Sequence, residues 1–150
     1  YVTSIAVELA KHLRLSAHDV QLAEIMGLFH DVGRFRQFTL YRTFNDAVSE
    51  DHAALGLKVL DELPFLARLV PEDEALVRFS ILNHNKKVIA PTEDVRELFF
   101  ARLLRDADKI VVLKDGRVVE EGMPDELRAR EGGIFRHMAE LQQHSAGWAI

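Results

Sequence analysis

Residues 29–34 read FHDVGR: Phe29-His30-Asp31-Val32-Gly33-Arg34, at the point where an apolar run gives way to glycine. Two readings compete. In the first, a helix ends here and turns two polar residues to water. In the second, His30 and Asp31 are adjacent ligands of one metal. The run before them is helical in pattern, with Val20, Leu22, Ala23, Ile25, Met26 and Phe29 at apolar positions. Ser16 and Asp19, three residues apart, form a capping box for its start.

Working outward, residues 1–13 predict a first helix, with Val2, Ile5, Leu9 and Leu13 on one side. No cap and no methionine precede it, so the chain reads as starting inside a helix. Residues 34–48 mix Arg34, Arg36 and Arg42 with Phe35, Phe38, Tyr41 and Phe44, without a clear period, and predict a long connection. Ser49 is placed to cap a third helix with Ala53, Leu57, Val59 and Leu60 inward. Pro71 opens a fourth. Thr92 caps a fifth, with Val95, Leu98, Phe99, Leu103 and Leu104 on its apolar side. Beyond residue 110 the pattern changes to two β-branched runs joined by Asp115-Gly116, a hairpin signal, and then to two short helices separated by Gly132-Gly133. The expected fold is all-α, a helical bundle over 1–110, with a hairpin and two-helix tail over 111–150.

A chain of 150 residues suits one core better than two. With no cysteine, disulfides, thiolate metal sites and cysteine nucleophiles are excluded. The formal charge of -5 argues against a general nucleic-acid coat. No apolar stretch is long enough to span a bilayer and the start lacks the order of a secretory signal, so a cytoplasmic location is the default expectation.

The residues suited to metal ligation recur at helix ends: His30 and Asp31, His52, His84, and Asp106 or Asp108. Antiparallel helices bring such positions into one cleft. Imidazole and carboxylate donors suit Fe, Mn, Co, Ni or Zn, and the pattern does not choose among them. An anionic substrate would need positive charge nearby, for which Arg34 is the leading candidate and Arg36, Arg42, Lys86 and Lys87 are weaker ones. Phe35, Phe38, Tyr41 and Phe44 read either as core or as a surface on which a base stacks.

The stretch LAEIMGLFHDVGR, followed by DHAALGLKVL, ILNHN and DADKI, resembles the HD-domain metal-dependent phosphohydrolases over residues 1–110. The resemblance implies an HD-type helical bundle. Its metal ligands would be His30, Asp31, His52, His84 and Asp108, with Asp106 as the alternative to Asp108. Asp31, Arg34, His52 and His84 would take part in catalysis. One or two divalent ions (Fe, Mn, Co, Ni, Zn or Mg) are implied, with His52 and His84 either holding the second ion or hydrogen-bonding the phosphate. A further first-helix histidine would fall just before Tyr1, and the second aspartate often found after the closing ligand is Val111 here. The implied partner is a small phosphorylated molecule, with nucleotides in the class, and a homodimer is compatible. The rival reading is a catalytically degenerate module with a structural, sensing or protein-interaction role.

The tail departs from that pattern. DKIVVLKDGRVVEEGMPDELRAREGGIFRHMAELQ resembles the C-terminal end of an ABC exporter nucleotide-binding domain. No GxxxxGK[ST] run occurs anywhere in the chain, so the resemblance brings no ATP-binding residues with it.

Overall fold

The computed structural model describes residues 2–63, 65–114, 117–122 and 124–145. Contacts divide the chain into two units, Tyr1–Asp108 and Lys109–Ile150. The first is a helical bundle of α1 (Val2–His12), α2 (Ala17–Phe29), α3 (Gly33–Tyr41), α4 (His52–Asp61), α5 (Pro71–Asn83) and α6 (Val95–Ala107). Single 3-10 turns, Asp46–Val48 and Leu66–Arg68, lie in the connections before and after α4.

The core is drawn from α1, α2, α4, α5 and α6, around Leu22, Met26, Leu60, Val77, Ile81, Phe100 and Leu104. Each of the larger of these side chains contributes roughly 1.5–3 kcal/mol by leaving water. The α1–α2 contact is made by small residues: Ala6 and Ala10 are fully buried, whereas Leu13 is exposed. The large apolar residues expected inward, Val2, Ile5 and Leu9, only flank it. A Cβ on Gly27 would lie 2.8 Å from the Thr3 Cα, so the helices meet too closely there for a larger side chain.

Four local expectations are corrected. Residues 33–41 are helical rather than part of a connection: Gly33 opens α3 where a side chain would meet the main chain of α4, and Arg42 ends it in the left-handed region at φ 55°. Asp51, not Ser49, caps α4, accepting from the Ala54 N–H. Asp94, not Thr92, caps α6, while the Thr92 hydroxyl accepts from the Asp94 N–H. Val95, placed inward by pattern, is 80% exposed, and Phe100 and Ala101 take the buried side with Leu103 and Leu104. The predicted cap of α2 holds: the Ser16 side chain accepts from the Asp19 N–H, and its hydroxyl donates to the Asp19 carboxylate.

In the second unit, β1 (Ile110–Lys114) pairs antiparallel with β2 (Arg117–Gly122), with an irregularity between Val112 and Leu113. The Asp115-Gly116 turn expected between them lies outside the described residues. Two helices follow, α7 (Pro124–Ala129) and α8 (Ile134–Ser145). Glu120 on β2 is buried, and its carboxylate accepts from the N–H groups of Ile134 and Phe135, each at 2.9 Å. A strand residue thus supplies the cap that α8 lacks in its own sequence.

Candidate metal centre

His30 and His84 occupy equivalent places, each the C-cap of a helix that ends early. Each ring curls back so that Nδ1 donates to the carbonyl three residues before it: His30 to Gly27 at 2.9 Å, His84 to Ile81 at 2.7 Å. This ties the ring to the end of its own helix and fixes the tautomer, leaving the Nε2 lone pair free. His52, the first residue of α4, reaches the same state differently. Its Nδ1 donates to Asp46 Oδ2 at 2.7 Å.

The three free nitrogens converge. His52 Nε2 and His84 Nε2 stand 3.1 Å apart, and the His30 and His84 rings meet edge to face at 5.1 Å. Asp31 Oδ1 lies 3.3 Å from His52 Nε2 and 3.6 Å from His84 Nε2, and Asp31 Oδ2 lies 3.7 Å from His30 Nε2. Asp108, the C-cap of α6, brings Oδ1 to 3.6 Å from His30 Nε2. The histidines are buried, at 7%, 1% and 1% exposure for His30, His52 and His84, and Asp31 is half exposed at the mouth.

These residues fit a divalent ion. Two neutral imidazoles whose Nδ1 protons are both committed have no proton to share, so Nε2 facing Nε2 at 3.1 Å is repulsive without a cation or an added proton between them. Donors about 2.0–2.2 Å from one ion stand roughly 3–3.6 Å from one another, close to the spacings found here. His30, Asp31 and His84 together offer a site for one divalent metal.

The electrostatics agree with that assignment. Burial works to raise the Asp31 pKa, but His84, His30, Arg34 and His52 outweigh it and hold the carboxyl far below its usual range. Burial depresses His30, but the carboxylates of Asp108 and Asp31 reverse the effect and raise it. His52 is lowered, first by burial and then by Arg34 and His84.

Asp108 stands beside His30 while Asp106 is exposed, which favours Asp108 of the two candidates. Arg34 reaches the site through Asp31: its Nε lies 3.4 Å from Asp31 Oδ1, and its Nη1 donates to the Phe44 carbonyl at 2.7 Å and lies 3.4 Å from Asp46 Oδ1. Arg36 forms a paired fork with Glu62, Lys86 pairs with Asp51, and Lys87 is exposed. Phe35, Phe38, Tyr41 and Phe44 are not core, being 42–79% exposed, and Phe38 and Phe44 stack at 5.0 Å. Tyr1 lies outside the described residues, and the histidine expected just before it would precede the first residue of the sequence.

Sequence reasoning missed Gln37, Asp46 and Asn85. Buried Gln37 donates from Nε2 to Asp46 Oδ1 at 2.7 Å, to Ser49 Oγ at 2.8 Å and to the Glu50 carbonyl at 3.0 Å. Asn85 Nδ2 donates to Asp46 Oδ2 at 3.2 Å and to Asp51 Oδ2 at 3.3 Å. Asp46 carried only a turn-forming signal, and its tie to His52 depends on how the 42–51 segment folds back.

A tight backbone contact holds this arrangement. A Cβ on Gly33 would lie 2.1 Å from the His52 carbonyl oxygen and 2.4 Å from the Gly56 amide nitrogen, so α3 and α4 touch main chain to main chain beside the ligands.

Among known proteins, the chain is 45% identical over 42 residues to the mitochondrial iron-sulfur clusters transporter ATM1 of Candida glabrata, 28% of this chain and 6% of that protein. It is 46% identical over 41 residues to the ABC transporter ATM1 of Toxoplasma gondii, 27% of this chain and 4% of that one. With the serine protease/ABC transporter B family protein tagB of Dictyostelium discoideum it shares 37% identity over 86 residues, 56% of this chain and 4% of that protein. The chain thus spans only 4–6% of the length of these relatives. No solved structure matches. The model of the HD domain matches residues 1–114, about three quarters of the chain and the part containing all the converging histidines. The chain belongs to the HD-domain family, and its buried His/Asp cluster supports the metal-dependent phosphohydrolase chemistry of that assignment.

Proposed function

We propose that the helical unit hydrolyses a phosphate ester of a small molecule, a nucleotide or a phosphorylated metabolite, at a divalent metal held by His30, Asp31, His84, Asp108 and His52. The observation that carries this reading is the convergence of three Nε2 lone pairs on the Asp31 carboxylate, with every Nδ1 tied to an oxygen. A divalent ion there supplies a Lewis acid for a phosphoryl oxygen and for the attacking water. The chain's own residues make the setting. Asp31 stays ionised, held by the histidines and Arg34, and offsets part of the ion's charge. Arg34 spans Asp31 and Asp46, so it acts through the carboxylate as well as on an incoming anion. In the reaction the water oxygen bonds to phosphorus, the bond to the ester oxygen breaks, and a proton passes to that departing oxygen. A second ion would draw on His52 and His84.

The same reading treats residues 1–110 as the catalytic domain and 111–150 as a separate tail, its two paired strands forming a hairpin like that of ABC exporter domains. The self-contained capping of α8 by Glu120 and the short transporter matches support it.

The test is metal content and phosphate release for the wild type beside His30→Ala and Asp31→Ala. Loss of both metal and activity in the variants, with helix content kept, is the expected result. Full activity in both variants would refute the assignment.

A further inference from the structure

We propose that Asp46 is a positioning residue that sets the tautomer of His52, and so makes His52 a ligand of the metal centre rather than an N–H donor beside it. The inference rests on the centre described above and concerns the role of Asp46, a residue that neither the motif nor the family resemblance singled out.

Asp46 lies in the 3-10 turn before α4, and each of its oxygens is surrounded by donors. Oδ2 faces His52 Nδ1 at 2.7 Å and Asn85 Nδ2 at 3.2 Å. Oδ1 faces Gln37 Nε2 at 2.7 Å and Arg34 Nη1 at 3.4 Å. A carboxylate only accepts, so His52 must carry its proton on Nδ1. Its Nε2 lone pair then points at His84 Nε2, 3.1 Å away, and Asp31 Oδ1, 3.3 Å away. An Nε2–H in that place would instead donate to one of those two groups or to a phosphate.

The surroundings favour one arrangement: two donors, Gln37 and Arg34, face Oδ1, whereas on the Oδ2 side Asn85 is the one donor besides His52, and its amide Nδ2 also lies 3.5 Å from His52 Nδ1. Arg34 cannot accept a hydrogen bond. Gln37 is locked with Oε1 accepting from Arg34 at 3.3 Å and Nε2 donating to the Glu50 carbonyl at 3.0 Å. In an Asp46→Asn variant the amide oxygen therefore stays on the Gln37 and Arg34 side, and the new NH2 faces His52 Nδ1 and Asn85, whose amide turns to present its buried Oδ1, an acceptor with no hydrogen bond of its own. His52 Nδ1 must become an acceptor and its proton moves to Nε2. One substitution, with almost no change in volume, switches His52 from lone-pair donor to N–H donor within the cluster.

The test uses metal-free, 15N-labelled full-length chain and Co²⁺ as the probe. Long-range proton–nitrogen spectra read the tautomer of each neutral imidazole, and the His52 signals are assigned by their loss in His52→Gln. The expected result is an Nδ1 proton on His52 in the wild type and an Nε2 proton in Asp46→Asn. Co²⁺ affinity should fall about 10–100-fold with helix content kept, the scale on which partners of metal-bound histidines act. A wild-type His52 protonated on Nε2 overturns the proposal, whether or not any variant folds. So does Asp46→Asn binding Co²⁺ within about twofold of wild type, since a supporting partner should cost tenfold or more. His30→Ala separates the two levels of the argument. If it binds Co²⁺ as well as the wild type, the centre itself fails; if it loses Co²⁺ while Asp46→Asn does not, only the role of Asp46 fails.

Discussion

The helical unit contains two polar clusters that differ in how they are closed. In one, Asp19, Asp73, Arg96 and His18 tie α2, α5 and α6 together, and every charge meets its opposite. Arg96 donates to Asp19 at 2.7 Å and to Asp73 at 3.0 Å, and His18 Nε2 lies 2.7 Å from Asp73. In the other, three imidazole nitrogens with free lone pairs face one another and a carboxylate. The first cluster is complete as it stands and stabilises the fold. The second is complete only with a cation, so its cost to the fold is the counterpart of its affinity for metal.

The largest expected effect tests the second cluster. His30→Ala or Asp31→Ala should reduce bound metal and phosphate release to background, and a chelator should lower the melting temperature of the wild type but not of the variants. A chelator-insensitive wild type would mean that the open lone pairs have no ion to hold.

Next in size is Gly33→Ala. Its methyl would be driven into the His52 carbonyl and the Gly56 amide, and we expect a loss of about 3 kcal/mol or more in urea unfolding, with metal affinity falling as well. A loss below about 0.5 kcal/mol, the range of an ordinary surface change, would show that α3 and α4 can separate at little cost.

Arg96→Met should have the opposite profile to the ligand variants: stability lower by about 1–2 kcal/mol, discounted because the Arg96 side chain is 40% exposed, and metal content unchanged. If metal is lost with stability intact, the two clusters are not separable in the way their geometry implies.

The acid limb of stability is a finer test. A hydrogen bond from Arg96 is the main influence holding Asp19 below its usual value. For Asp73, burial pushes upward but Arg96 and His18 bring it below. Folded pKa values below the unfolded ones give stability that is fully present above about pH 4 and is lost as pH falls through the folded values. Arg96→Met should flatten that limb, and superimposable acid limbs for the two proteins would count against the knot.

The smallest effect expected is from removal of residues 111–150, which should leave a helical domain with one cooperative transition. Loss of cooperativity would show that the tail belongs to the core.

The residues that cluster were legible because His30-Asp31 is local in sequence and the other histidines sit at helix ends that proline, polar runs and caps mark out. What could not be read came from partnerships across folded segments. Asp46 supports His52 only after residues 42–51 fold back, and Gln37 looks like a surface residue until Arg34, Ser49 and Glu50 surround it. Helix α3 was missed because its arginines and aromatics show no stripe, most of its surface being in water. The buried side of α1 was hidden for a related reason: large apolar residues dominate a periodicity, whereas the fully buried residues are Ala6 and Ala10, and Gly27 meets the helix at Thr3 and Ala6.

The contact at Gly33 also bears on how such a site can diversify. Exposed side chains of this unit, such as Phe35, Phe38, Tyr41 and Lys87, can change one at a time while the backbone stays in place. Gly33 has no neighbouring residue type to move to, because any side chain meets main chain rather than a flexible group that gives way. Descendants of this chain are therefore free to vary such exposed positions, while the glycine beside the His/Asp cluster stays fixed for as long as the helices keep their spacing.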